Sequence, residues 1–303
     1  MPSTKSKKKK IILIVGPTAI GKTDLSINIA KLLKTDIISF DSRQFYKELK
    51  IGTAPPTKKQ LNIVKHHFIH HISIQQEYNV GKYEKEALDL INSLHKNKDS
   101  IVVVGGSGLY ANAITHGLDN IPETNNNIRN ICNKLYEKNG IEWLQKKIKL
   151  IDPRFYENND TNNHQRLLRV LEVHKQTGEK LSSLQKNTIK KRPFDIIKIG
   201  LNTNREILYE KINYRVDNMI RDGLIDEVIS LQKFQNYNAL QTVGYKELFS
   251  FLRNEISLEI AISNIKKNTR RFAKRQITWF KRDNEIKWFT PDKKKEIYSF
   301  IEE

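Results

Sequence analysis

IILIVGPTAIGKT, residues 11–23, is the stretch of sequence that decides the fold. Its first five residues are apolar and mostly β-branched, and they stop abruptly at Gly16, which predicts a buried strand. The rest fits the phosphate-binding pattern G-x-x-x-x-G-K-[ST], and helical spacing of apolar residues begins at Leu25. We therefore predict a strand, a phosphate-binding loop (P-loop) and a helix. The alternative is a chance pair of glycines in a turn.

The loop residues suit a diphosphate for physical reasons. Glycines let several backbone N–H groups point at one anion, and the helix N-terminus adds positive potential. Lys22 can neutralise terminal phosphate oxygens, and the Thr23 hydroxyl can ligate the Mg²⁺ that accompanies a diphosphate. The predicted diphosphate-binding residues are Gly16, Pro17, Thr18, Ala19, Ile20, Gly21, Lys22 and Thr23. The loop alone does not name the molecule that carries the phosphates.

Composition indicates a globular protein with a polyanionic partner. The chain has 303 residues and a formal net charge of +19, from 53 Lys and Arg against 34 Asp and Glu. Nucleic acid would explain this charge, and lysines scattered on solvated faces are the alternative. Cys132 is the only cysteine, which excludes an intramolecular disulfide and fits a reducing compartment. We expect no membrane span, and the lysine run Lys7–Lys10 predicts a solvated tail.

Asp41 is the leading candidate for a reacting carboxylate. It follows a predicted strand at residues 36–40, and parallel α/β sheets place their chemistry at the carboxyl ends of strands. A general base, a Mg²⁺ ligand and a turn residue all remain open for it. A further strand, 101–104, ends in glycines and Ser107 with no carboxylate, which counts against a typical P-loop NTPase.

Two other clusters allow a functional or a purely structural interpretation. Four histidines lie between residues 66 and 71, but no Asp or Cys joins them at ligand spacing, so we expect a short buried segment rather than a metal site. Arg166 and Arg169 share a helix face by their i, i+3 spacing. They could contact phosphates or form a solvated basic face. The segment 268–282 interleaves cations with aromatics, a pattern that can face phosphates while packing on a core.

The predicted fold class is α/β, a P-loop-containing parallel sheet core with an inserted all-helical domain. The composition shifts around residues 117–127, and strand character returns after Pro193. The predicted boundaries are a basic tail at 1–10, a first part of the core at 11–117, a helical insertion at 118–194, and a second part of the core with basic C-terminal helices at 195–303.

Seven ordered blocks of sequence together resemble the tRNA dimethylallyltransferase family, the isopentenyltransferases that modify the adenosine next to the anticodon. The blocks are Gly16–Thr23, Asp41-Ser42 with Tyr46, Ile51–Ala54, Gly105–Tyr110, Gln165–Arg169, Val243–Tyr245 and Ala273–Trp279. Ser107 departs from the family's common threonine but keeps the hydroxyl. The absence of a Cys/His zinc finger favours the bacterial, cytoplasmic form of the family.

The resemblance implies a donor, a metal and a catalytic set. The P-loop would hold dimethylallyl diphosphate with Mg²⁺, gripped by Lys22 and Thr23 and clamped by Arg215. Asp41 would accept a proton from N6 of adenine as that nitrogen attacks the allylic carbon. The implied catalytic residues are thus Asp41, Thr23 and Arg215, with Thr23 as the Mg²⁺ ligand.

The resemblance also implies contacts with a tRNA anticodon stem-loop, whose target base would be flipped into the site. Separately, we expect the protein to be a monomer. The RNA-binding residues carried over are Asp41, Ser42, Arg43, Gln44, Ser107, Arg129, Gln165, Arg166, Leu167, Leu168, Arg169, Thr242, Val243, Gly244, Tyr245 and Lys246. Two rival functions share the loop: an ATP-dependent small-molecule kinase, and a non-catalytic RNA-binding protein with a nucleotide switch.

Overall fold

The computed structural model describes residues 8–186 and 188–302. Most of the predicted basic tail, residues 1–7, lies outside the described residues. Lys8 Nζ lies 2.6 Å from a carboxylate oxygen of Asp195, and Lys9 Nζ lies 3.0 Å from one of Asp99. The described residues form two compact units, a helical unit at His116–Lys190 and an α/β unit made from the chain on either side of it. The predicted insertion, 118–194, overlaps the helical unit.

The α/β unit is built on a six-stranded parallel sheet, which confirms the predicted fold class. Its strands are β1 (Lys10–Val15), β2 (Ile37–Ser39), β3 (His66–His67), β4 (Ser100–Val104), β5 (Asp195–Leu201) and β6 (Lys287–Phe289), in the spatial order β3-β2-β4-β1-β5-β6. The two short edge strands, β3 and β6, are not predicted by the sequence pattern.

Strand β1 lies inside the sheet, between β4 and β5, and all of its side chains after Lys10 are buried. Ile12 pairs with Val102 of β4 on one side and with Ile197 of β5 on the other. A strand covered on both faces needs a continuous apolar run, which is what the first residues of the P-loop segment supply. Because β1, β2 and β4 are parallel, the loops that follow them leave the sheet at the carboxyl ends of the strands, on the same side.

Thirteen α-helices occur among the described residues. They are α1 (Lys22–Leu32), α2 (Lys58–Ile63), α3 (Val80–Leu94), α4 (Gly108–Thr115), α5 (Asn126–Ile151), α6 (Pro153–Asn158), α7 (His164–Thr177), α8 (Leu181–Leu184), α9 (Arg205–Arg221), α10 (Leu224–Ser230), α11 (Tyr245–Leu252), α12 (Leu258–Phe280) and α13 (Lys294–Glu302). None of them is both long enough and apolar enough to cross a membrane.

The helical unit consists of α5 to α8 around its own small core, which includes Leu144, Leu167 and Leu171. Helix α5 is kinked at Gly140, whose φ of 75° lies in the left-handed region. Asp152 is fully buried and joins α6 to α8, because its carboxylate accepts hydrogen bonds from Phe155 N and from both polar groups of Ser182. This unit therefore has apolar and polar contacts that are independent of the sheet.

Candidate functional site: two cavities at the carboxyl edge of the sheet

Two cavities lie against the loops that follow β1, β2 and β4. The smaller has a volume of about 270 Å³ and is lined by the P-loop, and the larger has a volume of about 1070 Å³. Thr18, Asp41, Thr53 and Arg215 line both of them. The site thus has a small cavity of phosphate size and a larger cavity. The carboxylate of Asp41 and the guanidinium of Arg215 lie where the two cavities meet.

The P-loop conformation depends on glycine at two positions. Gly16 has a φ of 143°, and a Cβ there would lie 2.5 Å from the backbone oxygen of Leu201 in β5. Gly21 caps α1 with a φ of 102°, in the left-handed region. Side chains at these positions would move the loop away from β5 or strain its backbone. The glycine pair is therefore required by the turn and is not a chance occurrence.

Lys22 folds back onto the loop that precedes it. Its ammonium group donates hydrogen bonds to the backbone oxygens of Gly16 at 3.0 Å and Pro17 at 2.8 Å. Removal of this group from water lowers the pKa of Lys22 from 10.5 to about 8, while Asp41 acts to raise it and Arg215 to lower it. The unfolded chain keeps this proton up to about pH 10.5. The folded protein therefore gains stability from this group as the pH rises from about 8 to 10.5.

Arg215, on α9, faces the loop from the other side. Its Nη2 donates to the Thr18 hydroxyl at 2.6 Å, and its Nε is buried without a hydrogen-bond partner among the described residues. Burial lowers the pKa of Arg215 to about 10, with Asp41 opposing that shift. A buried N–H that lacks a partner costs free energy, which an anion in the cavity would relieve.

Asp41 stands just beyond the end of β2, beside both cations. Its Oδ1 accepts a hydrogen bond of 3.2 Å from the backbone N–H of Arg43, and its own N–H donates to the Ser39 hydroxyl. The carboxylate interacts electrostatically with Lys22 and Arg215. Because it lines both cavities, it can act on groups that enter from either side.

The other predicted RNA-binding residues of the β2 loop are held by the rest of the α/β unit. Ser42 N donates to the Ser107 hydroxyl at 3.0 Å, and the two hydroxyls are also 3.0 Å apart. Arg43 Nη1 donates to the backbone oxygens of residues 238 and 239, and Gln44 Nε2 donates to those of residues 53 and 54. Ser42, Arg43 and Ser107 line the larger cavity, whereas Gln44 lines the smaller one.

In the segment 242–246, three residues line the larger cavity and the side chain of Tyr245 is buried in the core. Thr242, Val243 and Lys246 line the larger cavity. The Tyr245 ring is buried, and its hydroxyl donates to Glu227 at 2.6 Å, so its side chain supports the wall from behind. Gly244, with a φ of 98°, is the N-cap of α11.

The predicted RNA-binding residues of the helical unit differ from one another in their surroundings. Gln165 and Arg166 are exposed, whereas the side chains of Leu167 and Leu168 are buried in the unit's core and are not available to RNA. Arg169 donates to Pro122 O at 2.8 Å and to Thr124, and it lies 3.7 Å from Glu172. Arg129 lies 3.6 Å from the same carboxylate. Glu172 thus ties both arginines into the unit.

Three residues contribute to the cavities without a role having been predicted from the sequence. Thr53 lines both cavities. Glu227 accepts hydrogen bonds from the backbone N–H groups of residues 50–52, which hold the Thr53 loop in place. Gln276, on α12, contacts the P-loop and the loop after β4. Gln276 and Thr53 each lie within one of the seven sequence blocks, which was the available signal, but Glu227 carries no local pattern of its own.

The histidines between residues 66 and 71 contact other parts of the α/β unit, and His66 also lines the smaller cavity. His67 Nε2 lies 2.8 Å from an oxygen of Asp36, and His66 and His67 form β3. His71 packs edge-on against Phe45 and Phe68. Burial lowers the pKa values of His66, His70 and His71. Among the described residues, no group of three or more His, Cys, Asp or Glu side chains could hold a metal ion.

Magnesium would need a different kind of site, one that includes the ligand. The hydroxyl of Thr23 and the carboxylate of Asp41 line the same small cavity. Both are oxygen donors, and Mg²⁺ is commonly bound through one or two protein oxygens together with substrate phosphates and waters. The donor set therefore fits a magnesium ion that enters with a diphosphate.

The fold and the site define a P-loop α/β protein in which the P-loop cavity adjoins a carboxylate and a second, larger cavity. A family profile described as IPP transferase matches residues 44–283. A protein of Christiangramia forsetii named tRNA dimethylallyltransferase is 53% identical over 96% of this chain and 97% of its own length. The chain therefore belongs to the IPP transferase family.

Solved structures resemble this chain in fold as well as in sequence. The full-length tRNA isopentenylpyrophosphate transferase from Bacillus halodurans has a TM-score of 0.72 and 35% identity, over 97% of this chain and 96% of that one. A eukaryotic dimethylallyltransferase, captured in crystals acting on tRNA, has a TM-score of 0.71 and 28% identity, over 90% of this chain and 70% of its own.

The titration of Lys22 predicts how diphosphate binding depends on pH. Protonated Lys22 attracts the anion, and the free protein loses that proton above about pH 8. The affinity for inorganic pyrophosphate should therefore fall between pH 7 and 9, by up to about tenfold per pH unit. Isothermal titration calorimetry of the wild type and of Lys22→Met at each pH measures this.

Lys22→Met also serves as the control in that experiment, because pyrophosphate titrates in the same way with both proteins. The ratio of the two affinities should shrink as the pH rises. A ratio that stays constant from pH 7 to 9 would mean that Lys22 does not titrate in this range or does not contact the anion.

Proposed function

We propose that this chain transfers a dimethylallyl group from dimethylallyl diphosphate to N6 of the adenosine that follows the anticodon in tRNA, and releases diphosphate. Membership of the IPP transferase family and the relatives named tRNA dimethylallyltransferase support this reaction. The observation on the site that carries the proposal is that the P-loop cavity and the larger cavity share Asp41 and Arg215. The donor and the acceptor can thus meet at one carboxylate.

The donor diphosphate is assigned to the smaller cavity. Backbone N–H groups of the P-loop and the N-terminus of α1 attract the anion. Lys22 and Arg215 supply charge from opposite sides, and the unpartnered Nε of Arg215 is a donor that a phosphate oxygen can accept from. Thr23, with diphosphate oxygens, would hold Mg²⁺, and that ion when bound adds positive charge where the leaving group develops negative charge.

The acceptor adenine is assigned to the larger cavity. Its volume exceeds that of the small cavity about fourfold, and Phe272, Arg275 and Trp279 of α12 line it. A base that is stacked in an anticodon loop cannot reach Asp41, so the nucleotide is flipped out of the stack. Aromatic rings and a guanidinium plane suit such a base because they can stack on its face.

In the chemical step, the lone pair on N6 forms a bond to the allylic carbon as the bond from that carbon to the diphosphate oxygen breaks. Asp41 accepts the proton that N6 loses, so the product amine is neutral. Lys22 and Arg215 neutralise the charge that collects on the diphosphate. The atoms balance without any oxidant or reductant.

The remaining parts of the proposal concern the setting of the enzyme. The partner is a tRNA anticodon stem-loop, and its electrostatic attraction to this chain follows from the net charge of +19. We place the enzyme in the cytoplasm as a monomer. Arg166, which is exposed on α7, is the residue of the helical unit best placed to contact an RNA phosphate.

Mass spectrometry of nucleosides provides the direct test of the reaction. An unmodified tRNA with adenosine following the anticodon is incubated with the protein, Mg²⁺ and dimethylallyl diphosphate. We expect one added five-carbon unit on that adenosine, and no product when ATP replaces the donor. Phosphorylation of an acceptor with ATP, without prenylation, would contradict the proposal in favour of a kinase.

Asp41→Asn should lower kcat by about two to four orders of magnitude, because a general base contributes that much to the chemical step. The amide keeps the acceptor for Arg43 N, so RNA affinity and pyrophosphate affinity should stay near those of the wild type. Asp89→Asn, an exposed carboxylate on α3, is the matched control. A kcat that stays within about threefold of the wild type would remove Asp41 from the chemistry.

Arg166→Ala and Arg169→Ala should have different effects, although the two residues lie one helical turn apart. Arg166→Ala should flatten the slope of log affinity against log salt by about 0.7 to 0.9, the value for one lost phosphate contact. Arg169→Ala should chiefly lower the melting temperature, because it leaves the buried Glu172 short of a partner. Filter binding over a salt series, with Lys147→Ala as the exposed control on α5, distinguishes them. Equal slopes for all three variants would make Arg166 a solvated cation only.

A further inference from the structure

Gln276 joins two loops of the site through one side chain. It lies on α12 and is only 5% exposed. Its Oε1 accepts a hydrogen bond of 2.8 Å from the backbone N–H of Thr18 in the P-loop. Its Nε2 donates at 2.9 Å to the backbone oxygen of Gly106, in the loop after β4. Both ends of the amide are therefore satisfied, each by a different loop.

The contact with Gly106 requires the absence of a side chain there. A Cβ on Gly106 would overlap Gln276 Nε2 and lie 3.8 Å from Asp41 Oδ2. The amide of Gln276 therefore packs against the backbone at a point next to the reacting carboxylate. The φ of Gly106 is not in the left-handed region, so its backbone conformation does not require glycine. The close approach of the Gln276 amide is what requires glycine there.

The contact with Thr18 extends to the other side of the site. The Thr18 hydroxyl accepts a hydrogen bond from Arg215, so the peptide that Gln276 holds belongs to the residue that holds this guanidinium. Neighbouring residues of α12, Arg275 and Trp279, line the larger cavity. A single helix thus contributes to the acceptor wall and fixes the loop that receives the donor.

We propose that Gln276 is a positioning residue that sets the separation between the donor side, at Thr18 and Arg215, and the acceptor side, at Gly106 and Asp41. This inference rests on the proposed prenyl transfer. The allylic carbon must lie within attack distance of N6, and a displacement of about 1 Å can cost about 10²-fold in rate. A buried amide with both groups paired resists such a displacement, because moving it leaves polar groups unpaired.

A double-mutant cycle tests the proposal, since the methyl group of Gly106→Ala would act by displacing the Gln276 amide. Gln276→Ala and Gly106→Ala should each lower kcat by about 10- to 100-fold, with the KM for RNA changed by less than about threefold. The double variant should be about as slow as either single one. Gln276→Glu keeps the acceptor for Thr18 N and loses the donor to Gly106 O, so its kcat should be intermediate.

Thr278→Ala, an exposed position on the same helix, is the control and should match the wild type. Melting temperatures establish whether each variant folds. If Gln276→Ala does not fold, the kcat of Gln276→Glu is used to test the proposal instead. Losses in kcat that multiply in the double variant would overturn the proposal. So would a folded Gln276 variant that retains the wild-type kcat.

Binding of inorganic pyrophosphate separates this inference from the proposed function. Gln276→Ala should weaken that binding by about 2- to 10-fold, the value of one lost hydrogen bond, because the Thr18 peptide is no longer fixed. A wild type that binds pyrophosphate but transfers no dimethylallyl group would contradict the proposed function alone. Unchanged pyrophosphate affinity in a folded Gln276→Ala protein would contradict the positioning of the P-loop.

Discussion

The site depends on two cations that the fold holds in partly buried positions beside Asp41. Lys22 has only backbone oxygens of its own loop for hydrogen-bond partners in the described residues, and Arg215 keeps a buried N–H without one. Burial lowers the pKa of both groups, so keeping them charged has a free-energy cost in the folded protein. An anionic ligand removes that cost. The cost of burying these cations and the proposed affinity for a diphosphate therefore have the same physical origin.

The order of the strands explains why residues far apart in the sequence meet at this site. Because β1 lies between β4 and β5, the P-loop leaves the sheet where the chain continues to both sides. Such a switch point opens a crevice at the carboxyl ends of parallel strands. The loop after β2 adds Asp41, the loop after β4 adds a glycine-lined wall, and α9 brings Arg215 from a distant part of the sequence. The sheet thus gathers donors and acceptors that are far apart along the chain.

The sequence predicted those parts of the protein that have a local signature. A P-loop has a fixed spacing, and a buried strand is a continuous apolar run, so the core of the sheet followed from them. Strands of two or three residues, such as β3 and β6, are too short to show any periodicity. The i, i+3 spacing of Arg166 and Arg169 gave no sign that Glu172 holds only the second of them. Gln276 lies 258 residues from its partner Thr18, a distance that no local pattern spans.

Two of the acidic side chains of this basic protein are used to hold its loops and helices in place. Glu227 accepts hydrogen bonds from three successive backbone N–H groups at residues 50–52 and from the hydroxyl of Tyr245, and Glu172 holds two arginines within the helical unit. Acidic side chains used in this way stabilise loops and helices, and they add little negative potential at the surface. Asp41 differs, because it makes one long hydrogen bond to its own turn and otherwise faces the two cavities. The net positive charge thus attracts a polyanion, and in the proposed reaction Asp41 is the basic oxygen that removes the proton.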